Sequence, residues 1–528
     1  MITLLDYGAG NVRSVRNAVR RLGCEIQDVT EPKDILRAEK LIFPGVGSFG
    51  SVMNKLVEKG YVEPLKQRIA ADKPFLGICV ALQAMFEASA ESPGVPGLGV
   101  LPGTVQRFTD PRLTVPQIGW NGIRLHRQCS LFEDYRGEKL YFVHSYHARI
   151  EDVDQHWLLS TTDYGQSFVS GICRGNVAAF QFHPEKSGAP GLTILGRFLE
   201  NESITVRPGS TTVAGDKTHL AKRVIACLDV RSNDRGDLVV TKGDQYDVRA
   251  DGEVRNLGKP VELAQRYFEE GADEITFLNI TGFRDFPLAD QPMLEVLRRT
   301  SEKVFVPLTI GGGIRAFTDS DGVFHTALDV ASEYFRSGAD KISIGSDAVY
   351  TVEAFLASGQ ATGKSAIEQI SAVYGAQAVV ISVDPRRIYV SEPERTTHQV
   401  IATAQPGPGG ERYCWYQCTV KGGREGRDID VIQLVTVCER LGAGEILLNC
   451  IDRDGTNSGF DIELINHVKE RVSIPVIASS GAGRPEHFIE VFEQTGAEAA
   501  LAAGIFHRRE IGIRQVKEAL IERDISCR

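Results

Sequence analysis

None of the ten cysteines stands in a C-x-x-C pair, and their spacing follows no regular pattern. A chain of 528 residues buries large cores without covalent staples, so neither a disulfide framework nor a structural metal is expected and a reducing compartment is the default. No apolar run approaches the roughly 18 residues that a membrane-spanning helix requires. The opening MITLLDYGAGN has no basic n-region, carries an acid at Asp6, and lacks the Arg-rich, acid-poor look of a transit peptide. Cytosol is the plain reading. Positive charge is also in deficit: a formal net charge of -10 disfavours the basic face that non-specific nucleic-acid binding needs. Small anionic substrates stay open, because backbone N–H groups bind phosphate whatever the net charge.

What is present is 42% hydrophobic and 24% charged, a globular composition long enough for two or more domains. Over residues 1–202, short apolar runs alternate with helical patterns. ITLLDYG, KLIFPGVG, KPFLGIC, LYFVHSY and NVAAFQFHPE each read as a buried strand ending in a turn, which predicts an α/β sheet domain. Residues 203–221 are rich in Ser, Thr and Gly and read as a linker. Residues 222–528 contain an internal repeat: RVIACLDV returns as AVVISVD, GADEITFLNITG as GAGEILLNCIDRDG, VFVPLTIGGGIR as SIPVIASSGAGR, and GADKISIGS as GAEAALAAG. The copies keep their order at a spacing of roughly 155 to 170 residues, so this is a duplicated half rather than a solenoid period. Eight βα units follow, and a closed (β/α)8 barrel covers the strands and removes the edges. Segments around 315–335 and 351–372 read as insertions, and the polar stretch 395–426 as a mobile loop after the fifth strand.

Two motifs in the first domain carry chemistry. In FLGICVALQ a strand runs into a helix through Cys79, the shape of a nucleophile elbow, where the helix dipole favours a thiolate. A lone cysteine in an apolar run is more often core than nucleophile. QFHPEKS changes that balance, since His183 takes a thiol proton and Glu185 orients the imidazole. With DYGAGN and FPGVGSFG, these residues resemble class I glutamine amidotransferases, specifically the glutaminase of the imidazole glycerol phosphate synthase family. The resemblance implies that Gly45, Val46 and Gly47 present N–H groups to an oxyanion, and that Gln83, Ser145 and Tyr146 bind glutamine. Where that family has glycine at the second position after the nucleophile, this chain has Ala81, whose methyl is expected to crowd the elbow.

In the barrel, Asp229 and Asp384 end equivalent strands and would face each other at the mouth, an arrangement that suits an acid–base pair. Each alone could equally cap a turn. IACLDV, VVTKGD, TIGGGIR and LLNCIDRDGT resemble the cyclase of the same family. That likeness implies acid–base roles for Asp229 and Asp384, a loop lysine at Lys242 and a further active-site acid at Asp454. Asn279 stands where many bacterial relatives have Asp. Gly-rich strand ends open amides toward anions. Gly311, Gly312, Gly313, Gly345 and Ser346 form one candidate phosphate cradle. Ser480, Gly481, Gly483, Ala503 and Gly504 form its counterpart, fitting a substrate with a phosphate at each end.

The strand starts carry Arg223, Glu274, Lys341 and Glu445. They are either solvated charges or, as the resemblance implies, a gate at the barrel floor; Lys186 and Asp340 resemble an interdomain salt bridge. The expected chain is a fused, monomeric enzyme that uses glutamine and a bis-phosphorylated ribotide, with no metal or organic cofactor. Two alternatives stay open here: an amidotransferase joined to a sugar-isomerase type of barrel, and a non-catalytic phosphate-ligand sensor.

Overall fold

The computed structural model describes residues 1–8, 10–209, 218–233, 238–241, 249–250, 253–254, 256–280, 288 and 292–528. The first domain is built on a mixed eight-stranded sheet. Its parallel half holds β1 (Ile2–Leu4), β2 (Ile26–Asp28), β3 (Lys40–Phe43) and β4 (Phe75–Ile78). Helix α1 (Val12–Arg21) starts on Asn11, whose side chain accepts from the N–H of Ser14 at 3.0 Å. β3 and β4 are almost wholly buried, as strands covered on both faces must be. β5 (Gln117–Asn121), β6 (Arg124–Leu125), β7 (Arg127–Cys129), β8 (Leu140–His144), β9 (Leu158–Tyr164), β10 (Gln166–Arg174) and β11 (Val177–Phe180) follow. The sheet runs β2-β1-β3-β4-β11-β10-β9-β6, with β11 parallel to β4 and antiparallel to β10. LYFVHSY forms β8 as expected but lies outside this sheet, paired antiparallel with β5.

The predicted linker opens with structure: β12 (Val206–Pro208) pairs antiparallel with β7. Next come β13 (Arg223–Ser232), β14 (Leu238–Val240), β15 (Glu274–Asn279), β16 (Leu308–Gly311), β17 (Lys341–Ile344) and β18 (Val379–Val383). Then β19 (Pro385–Val390), β20 (Ile401–Ala402), β21 (Tyr413–Val420) and β22 (Glu425–Asp430) make a separate four-stranded antiparallel sheet. This corrects the loop expected over 395–426. The glycine-rich ends are turns, but YCWYQCTV between them is aromatic, β-branched and mostly buried. β23 (Glu445–Asn449), β24 (Val476–Ser479) and β25 (Ala499–Ala502) complete the barrel.

The barrel order is β13-β15-β16-β17-β18-β23-β24-β25, parallel throughout, and β25 pairs back to β13. The four pairs of repeated segments fall on strands that stand four places apart in this order. The segment 315–335 holds a small hairpin (Phe317–Thr318 with Phe324–His325) and most of the helix Ala327–Arg336. The segment 351–372 lies largely in α2 (Ser346–Ser358) and α3 (Ala366–Tyr374).

Strand geometry positions the site. Side chains alternate across a strand, so Arg223, Ile225, Cys227 and Asp229 of β13 share one face. Ile225 packs with Val380, Leu447, Ile477 and Leu501 in an apolar cluster inside the barrel. The lumen therefore reads, from floor to mouth, as charges, an apolar layer and then acids. At about 3.3 Å per residue, Arg223 and Asp229 stand roughly 20 Å apart.

Candidate active sites and the gate between them

Cys79 joins β4 to the short helix Val80–Ala84 with φ 51 and ψ −107, a strained conformation for a residue with a Cβ and one that lifts the side chain off the strand end. The turn closes only because Gly45 lies against it: a Cβ there would stand 1.7 Å from the Ile78 carbonyl oxygen. Ala81 is accommodated without crowding. Its methyl is fully buried and faces Gly77, where a Cβ would stand 3.2 Å away. The room is supplied by the strand, so the expected strain at this position does not arise.

His183 and Glu185 follow β11, and His183 Nδ1 is 2.8 Å from Glu185 Oε1. That contact leaves Nε2 as the nitrogen for the thiol, and Nε2 is buried with no hydrogen bond of standard geometry. Burial pushes the imidazole down, but the charges of Glu185 and Cys79 outweigh it and hold His183 well above the usual histidine range. The thiol sulfur also accepts from the Gln181 amide at 3.4 Å. Gln83 is buried, its amide donating to the Tyr146 carbonyl at 2.9 Å and to Gln181 Oε1 at 3.1 Å. Ser145 is buried and its carbonyl accepts from Phe108. The Val46 N–H donates to the Tyr7 hydroxyl at 3.2 Å, and that hydroxyl donates to the Val46 carbonyl at 2.9 Å. Tyr7 and Gln181 were not singled out from sequence, although they stand in the motifs DYGAGN and QFHPEKS.

At the barrel floor, Arg223, Glu274, Lys341 and Glu445 are fully buried and alternate in sign. Arg223 meets Glu274 at 2.9 Å and also Glu445; Lys341 meets Glu274 at 2.7 Å and Glu445 at 2.5 Å. Burial alone would raise the Glu445 carboxyl, but Arg223 and Lys341 hold it below the ordinary range. These are not solvated strand-start charges. Tyr141 of β8 connects them to the first site. Its carbonyl accepts from the His183 N–H at 2.9 Å, and its buried phenol, without a hydrogen bond, is raised by burial and by Glu274. Lys186 is 2.7 Å from Asp340, which also accepts from Asn11 at 2.8 Å.

At the mouth, a cavity of about 730 Å³ is lined by Asp229, Asp384, Asp454, Asn279 and both glycine clusters: Gly311, Gly312, Gly313, Gly345 and Ser346 on one side, Ser480, Gly481, Ala503 and Gly504 on the other. Gly483 is not in that lining; its N–H donates to His487 at 3.1 Å. Lys242 lies outside the described residues. Gly312 has φ 90, and a Cβ there would meet the Asn279 carbonyl oxygen at 2.1 Å, so only glycine fits. Asp384 accepts from the Asn449 amide at 2.9 Å. Burial raises its carboxyl, the Asn449 hydrogen bond opposes this, and Asp454 raises it further. Asn449 was missed although it sits in LLNCIDRDG, at the mouth end of β23. Strand alternation from Glu445 would have placed it in the lumen. Among the described residues, no group of three or more His, Cys, Asp or Glu is placed to hold a metal ion, and no helix is long and apolar enough to cross a membrane.

Comparison with known proteins agrees across both halves. The model for class-I glutamine amidotransferases matches residues 3–201, and that for the histidine biosynthesis protein family matches residues 223–512. The imidazole glycerol phosphate synthase hisHF of Arabidopsis thaliana, described as chloroplastic, is 59% identical over 533 residues, covering 100% of this chain and 89% of that protein. The hisHF protein of Schizosaccharomyces pombe is 56% identical over 539 residues, covering 100% of both chains. The HisF subunit of Haloarcula marismortui is 42% identical over 309 residues, covering 58% of this chain and 99% of its own.

Proposed function

The chain belongs to the imidazole glycerol phosphate synthase family, in the form that fuses a class I glutamine amidotransferase to the cyclase barrel, and we propose how its own residues divide that work. The Cys79 thiolate attacks the glutamine carboxamide. His183 gives its proton to the departing ammonia, and water then cleaves the thioester to glutamate. Gly45, Val46 and Gly47 supply the oxyanion amides, which requires the Val46 N–H to exchange Tyr7 for substrate. Gln83, Ser145 and Tyr146 hold the glutamine.

Ammonia enters the barrel through the ring of Arg223, Glu274, Lys341 and Glu445 and crosses the apolar layer, out of reach of the water that would protonate it. At the mouth it attacks the open-chain ribulosyl group of a formimino aminoimidazole carboxamide ribotide. Asp384, whose carboxyl is raised, serves as the acid and Asp229 as the base. Cyclisation and cleavage give imidazole glycerol phosphate and aminoimidazole carboxamide ribotide. The two glycine cradles seat the two phosphates, with Asp454 and the loop lysine Lys242 contacting the ribotide. Residues 1–202 form the glutaminase, 203–221 the connection and 222–528 the cyclase. Docking is intramolecular, a monomer suffices, and the cytosol is the compartment we assign.

The observation that carries this reading is the continuity between the sites: Tyr141 bonds His183 through its carbonyl and feels Glu274, Arg223 and Glu445 at its hydroxyl. The test is turnover of the ribotide with glutamine or with ammonium, in wild type and Cys79→Ser. Turnover lost with glutamine and kept with ammonium is expected. No turnover with either nitrogen source in folded wild type would sink the reading and favour a phosphate-ligand sensor.

A further inference from the structure

The chemistry above leaves the sheet β19–β22 without a task, yet it returns to the barrel mouth at one point. The turn between β21 and β22 begins at Lys421, and Lys421, Gly422 and Arg424 line the same cavity as Gly345 and Ser346. The Lys421 N–H donates to Ser346 Oγ at 2.9 Å. The serine oxygen is thus engaged as an acceptor while its own hydrogen stays free to donate to an anion. Lys421, Gly422 and Gly423 take φ of 58, 66 and 80, a tight left-handed run.

Beyond the turn, β22 is fastened to α2. Arg427 donates to both carboxylate oxygens of Glu353 at 2.7 and 2.9 Å and to Glu425 at 2.7 Å. Because α2 begins at Ser346, the helix that would offer amides to a phosphate is also the one that anchors the hairpin. The cations of the turn and of β22 are not equivalent. Lys421 is paired with Glu425 at 2.8 Å and Arg427 is paired twice. Arg424 is exposed and has no ion pair or hydrogen bond among the described residues. At the opposite cradle, Arg508 lines the cavity but is held by Glu510 at 2.6 and 3.0 Å.

We propose that Arg424 is a substrate-binding residue of the cyclase, its guanidinium closing over the phosphate seated on Gly345 and Ser346, with the Arg427–Glu353 pair as the brace that positions it. This rests on the reading of that cradle as a phosphate site. A planar guanidinium matches two phosphate oxygens at once, which an ammonium does not.

The experiment is ammonium-driven turnover by the full chain, comparing wild type with Arg424→Ala, Arg424→Lys and Glu353→Gln, with inorganic phosphate as competing probe. Arg424→Ala is expected to raise KM for the ribotide about tenfold, to weaken inhibition by phosphate by a similar factor, and to leave kcat within about twofold. Arg424→Lys recovers part of the loss, and Glu353→Gln shifts KM in the same direction by less. The defect narrows at high salt, where wild-type attraction is screened. Glutamine hydrolysis without ribotide stays at the wild-type level and reports folding. An unchanged KM, or a fall in kcat at constant KM, overturns the role of Arg424. A wild type that turns over nothing removes the function proposed above and this role with it. Normal wild-type turnover beside an unaltered Arg424→Ala removes only the latter.

Discussion

The charge state of His183 is decided by two neighbours against one environment. Burial favours the neutral ring, but Glu185 and Cys79 hold the proton on. Because the folded value lies above the unfolded one, this proton stabilises the fold below about pH 6.5, and that contribution is lost as pH rises through the folded value. Glu185→Gln removes the largest opposing charge. The alkaline limb of glutamine hydrolysis should move to lower pH and the rate fall by roughly 10²–10⁴, read from pH–rate profiles with the free chain; an unmoved alkaline limb would mean that Glu185 does not set this proton. At the other site, Asp384 is raised by burial, lowered by Asn449 and raised by Asp454. Asp384→Asn should cut ammonium-driven turnover by roughly 10²–10⁴ while glutamine hydrolysis persists, measured by ribotide consumption and glutamate release.

At the scale of elements, β8 and the segment after it place two histidines in the first domain's core. His144 and His147 are buried, and the Phe108 ring stacks on His147 at a centroid distance of 4.4 Å. Burial lowers His144 to about 3 and His147 to about 4. One nitrogen of each has no hydrogen-bond partner, so a second proton would go unsatisfied. Both folded values lie below the unfolded value, so the stability they contribute is present above about pH 6.5 and is lost as pH falls towards the folded values. At pH 5.5 the cost is about 1.4 kcal/mol per histidine. His147→Gln should therefore lose less stability than wild type between pH 7.5 and 5.5, by about that amount, in denaturation midpoints at the two pH values. Equal losses would show that His147 titrates normally in the fold. The sheet β19–β22 teaches a second lesson at this scale. Its glycine clusters read as loop, while the decisive signal was the buried aromatic run of β21 between them.

In the whole molecule, coupling depends on the polar seam between the two domains. Asp340 accepts from Lys186, Asn11 and the Leu308 N–H. The Trp120 indole donates to the Asp273 carbonyl at 3.3 Å, with the Arg528 guanidinium 4.1 Å above its ring. Asp340→Ala leaves the buried Lys186 ammonium unpaired and should loosen the seam. Glutamate released per ribotide consumed should then rise above one while ammonium-driven turnover holds; a ratio that stays at one would place the seal elsewhere. The floor ring predicts a larger structural effect. Arg223→Met leaves Glu274 and Glu445 with Lys341 as their one cation, and by the cost of breaking a buried ion network should destabilise the barrel by about 3–5 kcal/mol, visible in thermal unfolding.

Local sequence sufficed for the two-domain α/β plan, for the elbow at Cys79 with His183 and Glu185, and for Asp229 and Asp384 at the barrel mouth. Those follow from local rules: apolar runs, turn residues and side-chain alternation act over a few residues at a time. Tertiary structure alone decided that Arg223, Glu274, Lys341 and Glu445 are a closed buried ring rather than solvated charges, because only barrel closure brings the starts of four separate strands together. It also decided that Ala81 fits, since the space comes from Gly77 on β4. Gly483 is kept out of the cavity lining in a similar way: its amide is taken by His487, and Asn457 from the preceding loop packs against it. Asn449 acquired its partner Asp384 from the neighbouring strand, a pairing set by register between segments 65 residues apart.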